Sequence, residues 1–179
     1  MMTLIVGGSG SGKSSYAEKY IQLCSNEKKK YYLATMQVFD KEGLKKINRH
    51  KMLRKGKGFF TIEQPVSIQN ALEKMGQGEK TALLECVSNL VANEMFLEEI
   101  PKTAKEVTKE IIKDIKELGE NLTHLIIVSN NVFEDGTVYD EITMEYIRAM
   151  GTLNEQLAAM ADEVVEVVVG IPVIIKKQR

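Results

Sequence analysis

The eight residues Gly7-Gly8-Ser9-Gly10-Ser11-Gly12-Lys13-Ser14 restrict what this chain can fold into more than any other stretch. They fit the pattern G-x-x-x-x-G-K-[ST] and stand between a short apolar run, Thr3 to Val6, and a segment of helical spacing, Ser15 to Ser25. The glycines let successive main-chain N–H groups turn inward without a Cβ in the way. Those groups, with a helix N-terminus behind them, present partial positive charge to phosphate. The pattern predicts a triphosphate cradle in which Lys13 reaches the β- and γ-phosphates and Ser14 ligates Mg²⁺. It leaves open whether the nucleotide is GTP or ATP.

Such a cradle sits in a frame of alternating strands and helices. Strands are expected at Lys30–Thr35, Thr81–Cys86, His124–Ser129, Val164–Val169 and Val173–Lys176. Asp40 can cap a helix running towards Lys51, and Pro65 and Ser67 can open one with Ile68, Ala71, Leu72 and Met75 on one face, ended by Gly76. A further helix is expected from about Ser88 to Phe96. Thr103 and Glu106 form a capping-box pattern ahead of the stripe Val107, Ile111, Ile115 and Leu118, which Gly119 is expected to stop. Asn130 to Tyr139 reads as a loop, followed by a long helix with Ile142, Tyr146, Met150, Leu153 and Leu157 in its stripe. Gly170-Ile171-Pro172 can close a hairpin but is too short for a parallel crossover, so the last strand should be an antiparallel edge. The fold class that follows is α/β and P-loop NTPase-like: a mostly parallel sheet with helices on both faces and a C-terminal antiparallel edge strand.

The 179 residues show no linker or repeat, so one domain spanning 1–179 is expected. The net charge of −1 supplies no global field for nucleic acid. No stretch approaches the ~18 apolar residues of a membrane helix, and the run before Gly7 is too short for a signal-peptide core. Cys24 and Cys86 have no metal or redox spacing and read as buried thiols in a reducing compartment. A cytoplasmic protein without membrane insertion is expected.

Glu85, closing the run Thr81 to Glu85, is placed to serve the metal or a water, because a charge in an apolar strand is costly unless it is partnered. Residues 41–57 carry Lys41, Lys45, Lys46, Arg49, Lys51, Arg54, Lys55 and Lys57, with Glu42 the only acid among them. As a charge run this reads as a solvated face, with a local phosphate site as the functional alternative. His50 lies within it. By residue type alone His50 reads as a surface histidine, and His124, opening an apolar strand, as structural.

The chain resembles the adenosylcobinamide kinase/adenosylcobinamide-phosphate guanylyltransferase family of cobalamin biosynthesis. The resemblance runs from Leu4 to Lys176. It is carried by Ile5 to Ser14, Tyr16-Ala17-Glu18, Tyr32-Leu33-Ala34-Thr35, Ile47-Asn48-Arg49-His50-Lys51, Thr61-Ile62-Glu63, Leu83-Leu84-Glu85-Cys86, Asn89-Leu90, Gly151, Asn154 to Ala158, Ala161 to Val164 and Gly170-Ile171-Pro172. The resemblance implies phosphorylation of the cobinamide hydroxyl by a nucleoside triphosphate, then GMP transfer from GTP to that phosphate. It puts the guanylylated histidine at His50. It puts nucleotide contacts on Gly7 to Ser14, on Thr35, Met36 and Gln37, on Lys51, Met52, Leu53 and Arg54, and on Glu63 and Glu85. It also implies a corrinoid partner, adenosylcobinamide or its phosphate, and a homotrimer.

Two departures stand out. The family's Asn-Glu-Val-Gly after the fourth strand is Asn130-Asn131-Val132-Phe133 here, and its basic-proline-tryptophan segment is altered to Lys57-Gly58-Phe59-Phe60. Both changes fall on the acceptor side and leave the nucleotide motif whole. The chemistry suits the residue types: a neutral imidazole can attack an α-phosphorus while Arg49, Lys51 and Arg54 spread the charge. Two other readings use the same loop, a different small-molecule kinase without a covalent intermediate, and a non-enzymatic GTP-binding protein.

Overall fold

The computed structural model describes residues 1–25, 29–37, 56–132, 136–137 and 139–178. Among them lies one seven-stranded sheet, built from β1 (Met2–Gly7), β2 (Lys29–Ala34), β3 (Phe59–Glu63), β4 (Lys80–Glu85), β5 (His124–Asn130), β6 (Glu163–Val168) and β7 (Ile171–Lys177). Its order is β3-β2-β4-β5-β1-β6-β7, parallel throughout except for the antiparallel β6–β7 pair. The helices are α1 (Lys13–Ser25), α2 (Val87–Met95), α3 (Ala104–Asn121) and α4 (Glu141–Met160), with a 3₁₀ helix at Ile68–Lys74.

The central strands are apolar on both faces, as a sheet covered on both sides demands. Neighbouring residues therefore enter different cores. Leu4, Leu33, Leu84, Ile127 and Val164 pack in the larger cluster with Val107, Ile111, Ile115, Leu153 and Leu157 of α3 and α4. Ile5, Tyr32, Leu83, Ile126 and Val165 pack in a smaller one with Ala17 and Ile21 of α1. The stripe predicted for α3 is wholly buried, and its capping box is present: Thr103 Oγ1 accepts from the Glu106 N–H and Glu106 accepts from the Thr103 N–H at 2.9 Å.

Several expectations are corrected. Gly119 does not stop α3, which continues to Asn121. A Cβ on Gly119 would lie 3.1 Å from Met2 Cε, so the glycine makes room for a core side chain instead of capping. The segment opened by Ser67 is a 3₁₀ helix, and Ser67 gives no side-chain cap: its φ is 47° and its N–H is accepted by Glu94 Oε1 at 2.5 Å. β3 is a strand without a predicted counterpart, because only Ile62 of its five residues is buried and no period-2 pattern results. β7 begins at Ile171, so the hairpin turn is Val169-Gly170, both with positive φ (44° and 83°), a geometry that matches the strand twist. Cys24 and Cys86 are free thiols, half-buried rather than buried as expected. In α4 the stripe is buried from Met150 onward, while Ile142 is exposed. The predicted Asp40 helix lies outside the described residues.

Candidate active site

The phosphate loop falls between β1 and α1, where the strand's right-handed path must turn through 8–12 to start the helix. Gly10 (φ 74°) and Gly12 (φ 93°) take the left-handed conformations this turn needs. Gly7 is glycine for a different reason: a Cβ there would stand 2.6 Å from both the Val167 carbonyl oxygen and Ser11 Oγ. One bond closes the loop on itself and two tie it to its surroundings. The Ser11 N–H donates to Gly8 O at 3.2 Å, the Gly170 N–H of the β6–β7 turn donates to Ser11 O at 2.8 Å, and the Asn131 N–H beyond β5 donates to Gly7 O at 3.1 Å. Ser11 Oγ is buried without a partner among the described residues.

Lys13 is folded over the loop, its ammonium donating to Gly8 O at 3.0 Å. It is buried, and burial lowers its pKa below the ordinary lysine value; the nearby Cys86 and Glu85 groups pull it back up. The P-loop cation and the end of β4 are thus in one electrostatic neighbourhood. Ser14 follows in the first turn of α1.

Glu85 closes β4 as expected and is nearly buried, 9% exposed. Its partner is the Tyr32 hydroxyl of β2, which donates to Glu85 Oε2 at 2.7 Å. Next to it, the Thr35 hydroxyl is matched to the main chain of Cys86 at 2.9 Å from both N and O, pinning the end of β2 to the end of β4. Thr35 itself is buried, with Met36 and Gln37 half-buried beyond it, and Glu63 ends β3 alongside. The predicted contacts Thr35 to Gln37, Glu63 and Glu85 therefore share the carboxyl edge of the sheet with the phosphate loop, the place where ligands bind in such folds. A serine hydroxyl and carboxylate oxygens are hard donors that suit Mg²⁺.

Other side chains at this edge were not among the predicted site residues. Asn93 of α2 donates through Nδ2 to Thr35 O at 2.7 Å and to Pro65 O at 2.9 Å. Asn130, ending β5 in register with Gly7, donates to Ser88 Oγ at 2.7 Å, and Ser88 Oγ lies 2.9 Å from Cys86 Sγ. Burial pushes the Cys86 thiol pKa up. Asn130 was legible in principle as a polar residue after an apolar strand; Asn93 was not.

His50, Lys51, Met52, Leu53 and Arg54 lie outside the described residues. Lys57 forms an ion pair of 2.5 Å with Glu18, a buried carboxylate of α1. His124 lies at the opposite, amino-terminal end of β5. It is buried, 2.9 Å from Thr3 Oγ1 and edge-on to Tyr20, with its pKa lowered by burial and by the Met1 ammonium. That is the structural histidine the sequence suggested. Among the described residues no helix is long and apolar enough to cross a membrane.

The chain is 30% identical to the bifunctional adenosylcobalamin biosynthesis protein CobU of Escherichia coli (strain K12), over 98% of this chain and 100% of that one. It is 26% identical to the bifunctional adenosylcobalamin biosynthesis protein CobP of Pseudomonas aeruginosa, over 98% of each chain. Among solved structures, the flagellar accessory protein FlaH from Methanocaldococcus jannaschii matches with a TM-score of 0.53 at 13% identity, covering 99% of this chain and 78% of that one, a likeness of fold alone. A family profile described as cobinamide kinase / cobinamide phosphate guanyltransferase matches residues 3–175, and the chain belongs to that family.

Proposed function

We propose that this chain phosphorylates the hydroxyl of a cobinamide-type corrinoid and then transfers GMP from GTP to that phosphate through a guanylyl-His50 intermediate, as a step in adenosylcobalamin biosynthesis. The observation that carries the reading is Lys13: an ammonium buried in a phosphate loop, with Glu85 within electrostatic reach, in a chain that matches the family over residues 3–175. A desolvated cation interacts with phosphate more strongly than a hydrated one.

In the kinase step the loop amides and Lys13 hold the β- and γ-phosphates, and the acceptor hydroxyl takes the γ-phosphoryl group. In the transferase step the neutral imidazole of His50 attacks the α-phosphorus. An N–P bond forms, the bond to pyrophosphate breaks, and the imidazole loses its proton. The corrinoid phosphate then displaces His50 and carries away GMP. Ser14 and Glu85 are the residues we assign to Mg²⁺, which would neutralise charge on the phosphate oxygens. Thr35, Met36, Gln37, Lys51, Met52, Leu53, Arg54 and Glu63 are assigned to the guanosine nucleotide. We place the protein in the cytoplasm as a homotrimer. The apolar side chains left exposed along the β6–β7 ribbon, Val168, Val169, Ile171, Val173, Ile174 and Ile175, support a self-associating surface.

The test uses GTP labelled at the α-phosphate with Mg²⁺. The label should become protein-bound, acid-labile and base-stable, vanish in His50→Ala and persist in His124→Gln. Turnover of a corrinoid acceptor with no label would favour a kinase of another kind. GTP binding with neither label nor turnover would leave a nucleotide-binding protein.

A further inference from the structure

The segment after β2 and the end of β3 carry residues assigned above to the guanosine nucleotide, yet the chain at these two places is held together by a residue that belongs to neither. Asn93 stands in the last turns of α2, a helix anchored by the buried side chains Val87, Leu90, Val91 and Met95. One amide nitrogen carries two protons, and here each has its own carbonyl: Thr35 O at 2.7 Å and Pro65 O at 2.9 Å. Both acceptors directly adjoin assigned segments, since Thr35 opens Thr35 to Gln37 and Pro65 follows Glu63 by two residues.

The bridge closes a gap that the sheet leaves open. Thr35 is tied to β4 by its hydroxyl, and the Gln64 N–H donates to Ala34 O at 2.9 Å as the ladder between β2 and β3 ends. Beyond that point the strands have no ladder left. Asn93 joins the two strand ends across this gap. Its neighbour Glu94 holds only the second, by accepting the Ser67 N–H at 2.5 Å. A serine offers one proton, an aspartate offers none at neutral pH and would set a carboxylate against two carbonyls, and an alanine leaves both carbonyls unpaired.

We infer that Asn93 is a positioning residue that sets the spacing of the base-recognising walls of the nucleotide site, and so governs how much of the binding comes from the guanosine half of GTP. This rests on the nucleotide assignments proposed above. The phosphate loop has its own ties to β5 and to the β6–β7 turn, and none of these passes through Asn93. Loss of the bridge should therefore weaken recognition of the nucleoside and spare that of the polyphosphate.

The test measures the affinities of full-length protein for Mg-GTP, Mg-ATP and Mg-tripolyphosphate. In the wild type GTP should bind more tightly than tripolyphosphate. In Asn93→Ala that ratio should fall about tenfold, the scale of one or two lost hydrogen bonds, with tripolyphosphate affinity changed less than about twofold. Discrimination between GTP and ATP should fall with it. Asn93→Asp should behave like Asn93→Ala, Asn93→Gln should recover part of the ratio, and Glu94→Ala should lower the unfolding midpoint without moving the ratio. A wild-type ratio of one would overturn both the nucleotide assignments and the role of Asn93. A wild-type ratio above one that survives in Asn93→Ala and Asn93→Asp, or falls equally in Glu94→Ala, would overturn the role of Asn93 alone. Failure of all three Asn93 variants to fold would assign the residue to stability and overturn it as well.

Discussion

Three alanine substitutions in the phosphate loop should separate steric from conformational reasons for glycine. At Gly7 the new Cβ would lie 2.6 Å from the carbonyl oxygen of Val167 and from Ser11 Oγ. Ser11 can turn its hydroxyl away. Val167 cannot retreat, because β6 is paired with β1 up to Val6↔Glu166 immediately before it. Relieving the clash means prising β6 from β1, at a cost of about 1–3 kcal/mol for overpacking of this kind. At Gly10 there is nothing within 4 Å of the added Cβ, but φ is 74°, and a side chain in the left-handed region costs roughly 1–2 kcal/mol. At Gly8 the space is open and no positive φ is required, so the effect on stability should lie within about 0.5 kcal/mol. For a chain of this size about 1 kcal/mol corresponds to roughly 2–4 °C. Thermal and urea unfolding without nucleotide should therefore rank Gly7→Ala and Gly10→Ala below Gly8→Ala, which should match the wild type. If Gly7→Ala unfolds with the wild-type midpoint, or Gly8→Ala falls as far as Gly7→Ala, the loop's packing against β6 is wrong. Gly8→Ala then becomes a useful probe, since any loss of Mg-GTP affinity in it would be a loss of site and not of fold.

Asp114 of α3 has a pKa raised to about 6, first by burial and then by the Glu94 carboxylate. Its folded state holds the proton more tightly than the unfolded chain, so the stability it contributes is complete below the ordinary aspartate value and is lost as pH rises through about 6. Allowing for solvent screening, Asp114→Asn should stabilise the protein by about 1–2 kcal/mol at pH 8 and hardly at all at pH 4, as read from urea midpoints. Thr103→Ala removes the capping box of α3 and should cost about 1 kcal/mol, or roughly 2–4 °C in the melting midpoint.

Local chemistry makes several features legible in the amino-acid sequence alone. The glycines and lysine of residues 7–14 act through backbone amides adjacent in the chain, so their spacing places the cradle between β1 and α1. The Thr103–Glu106 capping box and the antiparallel last strand are equally local, since each depends on a few neighbouring residues or on a connection too short for any other path. What could not be read depends on residues distant in sequence. β3 is an edge strand with one buried residue, and its partner β2 identifies it better than its own pattern does. Gly119 looks like a helix stop and is instead a slot for Met2, a residue more than a hundred positions away. Tyr32 on Glu85, Gly170 on Ser11, and Asn93 between Thr35 and Pro65 arise from strand order. Helical and strand periodicities report which way a side chain points relative to its own backbone. Which side chain meets it there is settled by packing of the whole sheet, because hydrogen bonds and close contacts reward proximity in space and take no account of distance along the chain.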